Sequence, residues 1–392
     1  MNRKLILSLL SLISLTYGYA QPKGSYNLNF ELSKKDFADT IAIEFRNDQV
    51  YVPVIINEKQ YNFLLDTGSG HAVVYDDMRF DGCETIGVIE TRDAIGRKDT
   101  VEMVSLPPVT LGNLTLKGCQ ATVQQRAVIR PGVDGILGFD LVCKGMLMKI
   151  DTKNKQLILT DQKKLFSKEK AYEVKYQLNY HVPFLNIRPF EGHHELALFD
   201  TGSRHLYSMN KQSFDQGEQA STIQIAKQIE GRSIGRHAIG LLGTEPLGEV
   251  VFLHLDSLCL GKFSFGDLHA LTTQGGSHIG AKILEYGTMT FNPKRKRINF
   301  IPYDGSSRCM VGNEQLQKAI INENGLPVVG LVWERSKLYE GGLRQGDVIL
   351  KADNQPIRSF AEYTAFRPLI GHLYTFILKD RKGFMKEVKM NW

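Results

Sequence analysis

Apolar positions along the chain fall mostly in short runs. Gln49–Asn57, Val101–Leu106, Leu114–Val123 and Val250–Leu260 are continuous or alternating and are bounded by Gly, Asn and Asp. Runs of this length with turn signals between them predict β-strands packed as sandwiches or barrels. Two segments break the pattern. Leu5–Leu15 is apolar, follows Arg3 and Lys4, and precedes Tyr17-Gly18-Tyr19-Ala20. That is the three-part form of a secretory signal over residues 1–20, with cleavage before Gln21. The run is shorter than the ~20 residues that span a bilayer, and no second long apolar stretch follows it. The mature chain is therefore expected to be exported, periplasmic or secreted, with no transmembrane anchor. The Lys-rich segment Asp161–Lys170 has no apolar periodicity and reads as the connection between two β regions.

Those two regions repeat one another. Tyr61-Asn-Phe-Leu-Leu-Asp66-Thr67-Gly68-Ser69 and Glu195-Leu-Ala-Leu-Phe-Asp200-Thr201-Gly202-Ser203 are both apolar strands that run into Asp-Thr-Gly-Ser. Downstream, Leu111-Gly112 is matched by Leu260-Gly261, and Gly135-Ile136-Leu137-Gly138 more loosely by His278-Ile279-Gly280. Asp151–Leu159 is matched by Asn292–Phe300. A repeat of this size implies two similar lobes. Lobe 1 is assigned to residues 21–160 and lobe 2 to 161–303.

Composition changes this picture little. With 392 residues, the chain can bury more than one core. The 36 Gly against 13 Pro fit a protein rich in tight turns. The formal charge of +6 is spread along the chain, and Arg3 and Lys4 of the signal segment supply part of it. Its basic runs are short, and one such as Lys294–Arg297 reads as a solvated turn, so a nucleic-acid partner is not expected. Five cysteines (Cys83, Cys119, Cys143, Cys259, Cys309) are an odd number without C-x-x-C spacing. They are read as small buried residues, with one bridge in lobe 1 left open.

One Asp-Thr-Gly often makes no more than a turn, but two in equivalent places of a duplicated unit point to chemistry. An acid at the end of an apolar strand is costly to bury unless it is paired or satisfied. Setting the repeats face to face brings the carboxylates together. Such a pair shares one proton, and one member can serve as general base on a water. The stretch Val52–Ser69 resembles the first half of a retropepsin-like or pepsin-like aspartic protease lobe. Asp134–Phe139 is similar to the apolar-apolar-Gly segment that such lobes pack against the active-site loop, and Ile279-Gly280 is a looser match, interrupted by Ala281-Lys282. The resemblance covers roughly residues 38–303. It implies a mainly β, bilobal aspartic-protease fold with Asp66 and Asp200 as the catalytic dyad. It also implies active-site-loop support from Thr67, Gly68, Ser69, Thr201, Gly202 and Ser203, with both serines orienting the carboxylates. Glu90–Val104, with Gly96 near its centre, falls where the family carries a flap, although it holds no Tyr.

After Asp304-Gly-Ser-Ser, read as a linker, residues 311–392 resemble a bacterial-type PDZ domain, a small α+β module. The matching residues are Gly330-Leu331-Val332, Gly341-Gly342-Leu343-Arg344-Gln345-Gly346-Asp347-Val348-Ile349 and Asn354–Ile357. Ser359–Glu362 has the form of a capping box opening a helix. The resemblance implies peptide capture at a sheet edge, with Gly325, Leu326, Pro327 and Val328 as a nest for a terminal carboxylate. Pro327 removes one donor from it. No metal-ligand spacing and no cofactor motif was found. His71 and His205 follow the two Asp-Thr-Gly-Ser turns and are candidates to line the cleft, whereas His193 and His194 read as loop residues.

Two functions are carried forward. The first is an exported aspartic-type endopeptidase, with both acids on one chain, acting on peptide or protein substrates that the C-terminal domain recruits. The second is a non-catalytic peptide-binding adaptor built from degenerate lobes.

Overall fold

The computed structural model describes residues 28–125, 132–220, 225–366, 369 and 371–391, so the expected signal segment, residues 1–20, lies outside the described residues. In each half a sheet follows the same path. In lobe 1 the order is Gln49–Ile56, Lys59–Leu65, Gly135–Leu137, Ala72–Tyr75, Gln120–Gln124, Lys98–Ser105 and Glu84–Arg92. In lobe 2 it is Val182–Phe190, His193–Asp200, Ser277–Gly280, Tyr207–Asn210, Leu268–Thr273, Gly248–Leu255 and Ile229–Gly235. The parallel and antiparallel pairings agree at every step, so the duplication read from motifs extends to the whole topology.

The halves are joined by a shared set of strands. Tyr172–Asn179, Arg297–Pro302 and Gly287–Asn292 continue the lobe 2 sheet, which then takes up Leu147–Asp151, Gln156–Thr160 and Ala38–Ala42 from the first half. The joint is the register Met148↔Phe291 and Ile150↔Met289. Phe291 is fully buried there, edge-on to Phe139 at 5.3 Å and to Phe199 at 5.4 Å. Those two rings come from segments beside the two Asp-Thr-Gly turns, so one side chain of the platform supports both turns. No strand or helix occurs within Asp161–Lys170.

Past residue 304 the chain adds Arg308–Met310 to lobe 2, parallel to Phe263–Gly266. It then forms a smaller sheet in the order Lys318–Glu323, Leu326–Val332, Val348–Ala352, Leu373–Lys379, Met385–Asn391. Its core includes Val329, Leu343, Ile349, Phe376 and Val388. Ser359 caps the helix Phe360–Ala365 by accepting from Glu362 N at 3.1 Å, while the Glu362 carboxylate accepts from Arg358 N. This module is packed on lobe 2. Leu331, Trp333 and Ala319 lie against Val250, Phe252 and Leu271, and Gly330 O accepts from Arg236 N at 2.9 Å.

None of the five cysteines is bonded to another. No helix among the described residues is long and apolar enough to cross a membrane.

Candidate active site

Lys59–Leu65 and His193–Asp200 are buried at their C-terminal ends, so each delivers its acid from the core. The turns that follow are laced together. Thr67 Oγ1 donates to Phe199 O at 2.6 Å and accepts from Thr201 N at 3.1 Å. Thr201 Oγ1 donates to Leu65 O at 2.6 Å and accepts from Thr67 N at 3.0 Å. Both threonines are fully buried, and the four bonds fix the two turns as one unit.

The carboxylates stand at the centre of this unit. Asp66 Oδ1 accepts from Gly68 N at 2.8 Å and Asp200 Oδ1 from Gly202 N at 2.9 Å. Each acid also lies against the opposite turn. A Cβ on Gly68 would fall 2.7 Å from the Asp200 carboxyl, and one on Gly202 would fall 2.5 Å from Asp66 Oδ2. Glycine is required at both places because only a bare Cα lets the acids approach. Asp66 is partly open and Asp200 is buried. Close carboxylates cannot both ionise freely, so this geometry favours a singly protonated pair.

Of the two serines, only Ser69 departs from expectation. Ser69 Oγ donates to His71 O at 2.7 Å instead of to a carboxylate, because the turn aims it along its own chain. At Ser203 the backbone N–H, at 3.3 Å, serves Asp200 Oδ1. Behind the turns, Gly138 and Gly280 take equivalent places. A Cβ on Gly138 would meet His71 O at 2.5 Å, and one on Gly280 would meet His205 O at 2.0 Å. Gly280 pairs with Asp200 in parallel register, so Ala281-Lys282 do not disturb the packing that Gly138 provides in lobe 1.

His71 is largely enclosed, and burial lowers its pKa to about 4. His205 lines a cavity of about 330 Å³ with Asp48, Arg204 and Lys282. His193 bonds Ser213 Oγ at 3.0 Å and His194 bonds Asn186 Oδ1 at 3.2 Å, both away from the acids.

Two residues of the site escaped the sequence reading. Gln49, fully buried in lobe 1, donates to Gly202 O at 2.6 Å and accepts from Arg204 Nε at 3.1 Å, bracing the opposite turn. His278, two residues before Gly280, is buried near Asp66, and burial lowers its pKa to about 4. No motif marks Gln49, and His278 falls within the looser repeat segment His278-Ile279-Gly280, which gives it no role.

The hairpin Glu84–Arg92/Lys98–Ser105 occupies the expected flap position, with Gly96 at φ 85° in its turn. Its tip reaches across to lobe 2. Asp93 Oδ2 accepts from Leu242 N at 3.1 Å, and Arg97 donates to Leu242 O at 3.2 Å. Leu242 belongs to the tip of the corresponding lobe 2 hairpin. Its neighbour Leu241 packs on a lobe 1 cluster that includes Tyr51, Val73, Tyr75 and Ile136. Glu245 roots that tip by accepting from His237 N, Ala238 N, Thr273 Oγ1 and Gln274 N. The two hairpins thus clasp each other across the lobes.

In the C-terminal module, the expected carboxylate nest is corrected. Gly325 and Asn324, both at positive φ, form a two-residue hairpin turn, and Leu326, Pro327 and Val328 pair with Glu323, Asn322 and Ile321. Amides engaged in a ladder cannot form a free anion cradle. The open edge of this sheet is Lys318–Glu323, which has no second strand partner among the described residues.

Residues 52–141 match the family model described as Aspartyl protease. Among solved structures, the chain is similar to the aspartic proteinase from Irpex lacteus, at 16% identity, with 67% of this chain and 97% of that chain covered and a TM-score of 0.45. It is also similar to the Basic 7S globulin from soybean, at 11% identity, with 67% and 94% covered and a TM-score of 0.42. No curated protein matches the chain at a significant level.

Proposed function

We propose that the chain is an exported aspartic-type endopeptidase, active as a single chain, that hydrolyses peptide bonds in polypeptide substrates. The observation that carries this reading is the mutual approach of Asp66 and Asp200, each against the glycine of the other's turn. The ionised carboxylate takes a proton from a water, which attacks the peptide carbonyl carbon. The protonated carboxyl donates to the carbonyl oxygen as it gains charge. Collapse of the tetrahedral intermediate then passes a proton to the leaving nitrogen, and no covalent enzyme intermediate forms. Gly68 N and Gly202 N each hold one oxygen of an acid and so fix both carboxylates in the turns. The flap and lobe 2 tip, now clasped, part to admit an extended chain and close over it to exclude water.

The C-terminal module is PDZ-like and recruits peptide segments at the open edge strand Lys318–Glu323. Export follows from the signal-like residues 1–20.

Digestion of a mixed peptide library in H₂¹⁸O across a pH series tests the reading. The expected result is one ¹⁸O in each new carboxyl terminus, with cleavage blocked by a peptide carrying a hydroxymethylene group in place of the scissile amide. Peptide binding without any product would instead support the adaptor.

A further inference from the structure

His254 and His269 stand directly opposite one another in the antiparallel strands Gly248–Leu255 and Leu268–Thr273. Their rings are stacked 4.2 Å apart at 15°. Two protonated imidazoles so placed would repel, whereas two neutral ones present metal-ligand nitrogens. The next strand, Ile229–Gly235, shifts register between Ile229 and Gly231. The extra residue of that irregularity is Glu230. A bulge re-aims the side chain it carries, and Glu230 Oε2 lies 2.9 Å from His269 Nδ1. One nitrogen of each histidine and one Glu230 oxygen all lie within 4.8 Å of one another.

We infer that Glu230, His254 and His269 form a divalent transition-metal site, with Zn²⁺ the ion that best suits two imidazoles and a carboxylate. The residues around the three ligands are arranged as such sites require. Asp267 Oδ1 holds His254 Nε2 at 2.7 Å, which fixes that ring and leaves its Nδ1 for the ion. Gln315 donates to Glu230 Oε2 at 2.6 Å. Asn313 brackets the backbone of His269, accepting from its N at 3.0 Å and donating to its O at 2.9 Å. The His254 side chain is 44% exposed, so an ion can enter and a water can complete the coordination.

Asn313 and Gln315 belong to the segment that leads from lobe 2 into the C-terminal module. An ion at Glu230, His254 and His269 therefore clips three strands of lobe 2 to the root of that module. The role is structural, and it is independent of the peptidase reading. The ligands come from three separate strands, so no local spacing marks them in the sequence.

The test uses the full chain, stripped with a chelator and titrated with Zn²⁺ by calorimetry, with thermal melts alongside. One saturable site and a raised Tm are expected. His254→Ala and His269→Ala should each abolish the melting shift. Asp267→Ala, which touches a ligand only, should weaken binding by about 10–100-fold. Should either histidine variant fail to fold, Glu230→Gln preserves the side-chain shape, and the absorption bands of Co²⁺-loaded protein report the ligand set directly. Absence of saturable Zn²⁺ uptake would overturn the site, as would uptake unchanged in both His269→Ala and Glu230→Gln.

Discussion

Thr67 and Thr201 are each bound to the other's turn, hydroxyl to carbonyl and amide to hydroxyl, at 2.6–3.1 Å. The positions of Asp66 and Asp200 are therefore not independent. Removing the Thr67 hydroxyl leaves Phe199 O and Thr201 N buried without that partner, and a buried unsatisfied group costs about 1–3 kcal/mol. Thr67→Val should be destabilised by about that much in denaturant melts and should lose turnover, while Thr67→Ser should keep most of both. A Thr67→Val variant as stable and active as the wild type would show that the lacing does not position the dyad.

Gly202→Ala places a Cβ 2.5 Å from Asp66 Oδ2, closer than real Cβ contacts come. The carboxylate must move, and a displacement near 1 Å costs on the order of 100-fold in rate. The expected outcome is kcat down by roughly that factor, read from initial rates on a peptide substrate.

The clasp over the cleft rests on Asp93 and Arg97, which hold both backbone groups of Leu242. Hydrogen bonds to charged groups contribute about 1.5–3 kcal/mol. Asp93→Ala should speed amide exchange at Leu242 at least about tenfold, since 1.4 kcal/mol is a factor of ten. Unchanged exchange would mean that the two hairpins part by some other route.

His278 gives the fold a pH dependence of defined sign. Its ordinary pKa of 6.5 is lowered to about 4 by burial, against the weaker pull of Asp66 and Glu245. As pH falls from 6.5 toward 4, the unfolded chain takes up a proton that the folded chain refuses. Stability is lost across that window, by roughly 3 kcal/mol at its lower end. Asp140 works the other way. Burial raises its pKa from 3.8 to about 7, so its contribution is present at low pH and is lost as pH rises through that range. Comparing His278→Gln with the wild type at pH 7 and pH 4 isolates the first effect, and the variant should lose less stability on acidification. An equal loss in both would remove His278 from the pH response.

The sequence made the duplicated halves legible because the strand–Asp-Thr-Gly–Ser unit is local and occurs twice. What it could not display were contacts between residues far apart. Gln49 reads as part of an apolar strand, and its role exists only once Gly202, 153 residues away, is beside it. Ser69 was expected to serve a carboxylate, and only the backbone path of the turn shows that it serves His71 O. Gly325 was given the wrong task although Asn324-Gly325 is a strong hairpin-turn signal. The flap segment Glu90–Val104 could be placed from the family resemblance, but not the tip of lobe 2 that meets it, since Ile239–Thr244 carries no periodic pattern.

The most direct test is the turnover of Asp66→Asn and Asp200→Asn on a peptide that the wild type cleaves, with melts confirming that both variants fold. Loss of the general base or of its partner acid should lower kcat by about 10²–10⁴-fold in each variant, with little change in stability. Wild-type turnover in either variant, or cleavage by neither the variants nor the wild type across the pH range, would contradict a peptidase built on the Asp66–Asp200 pair.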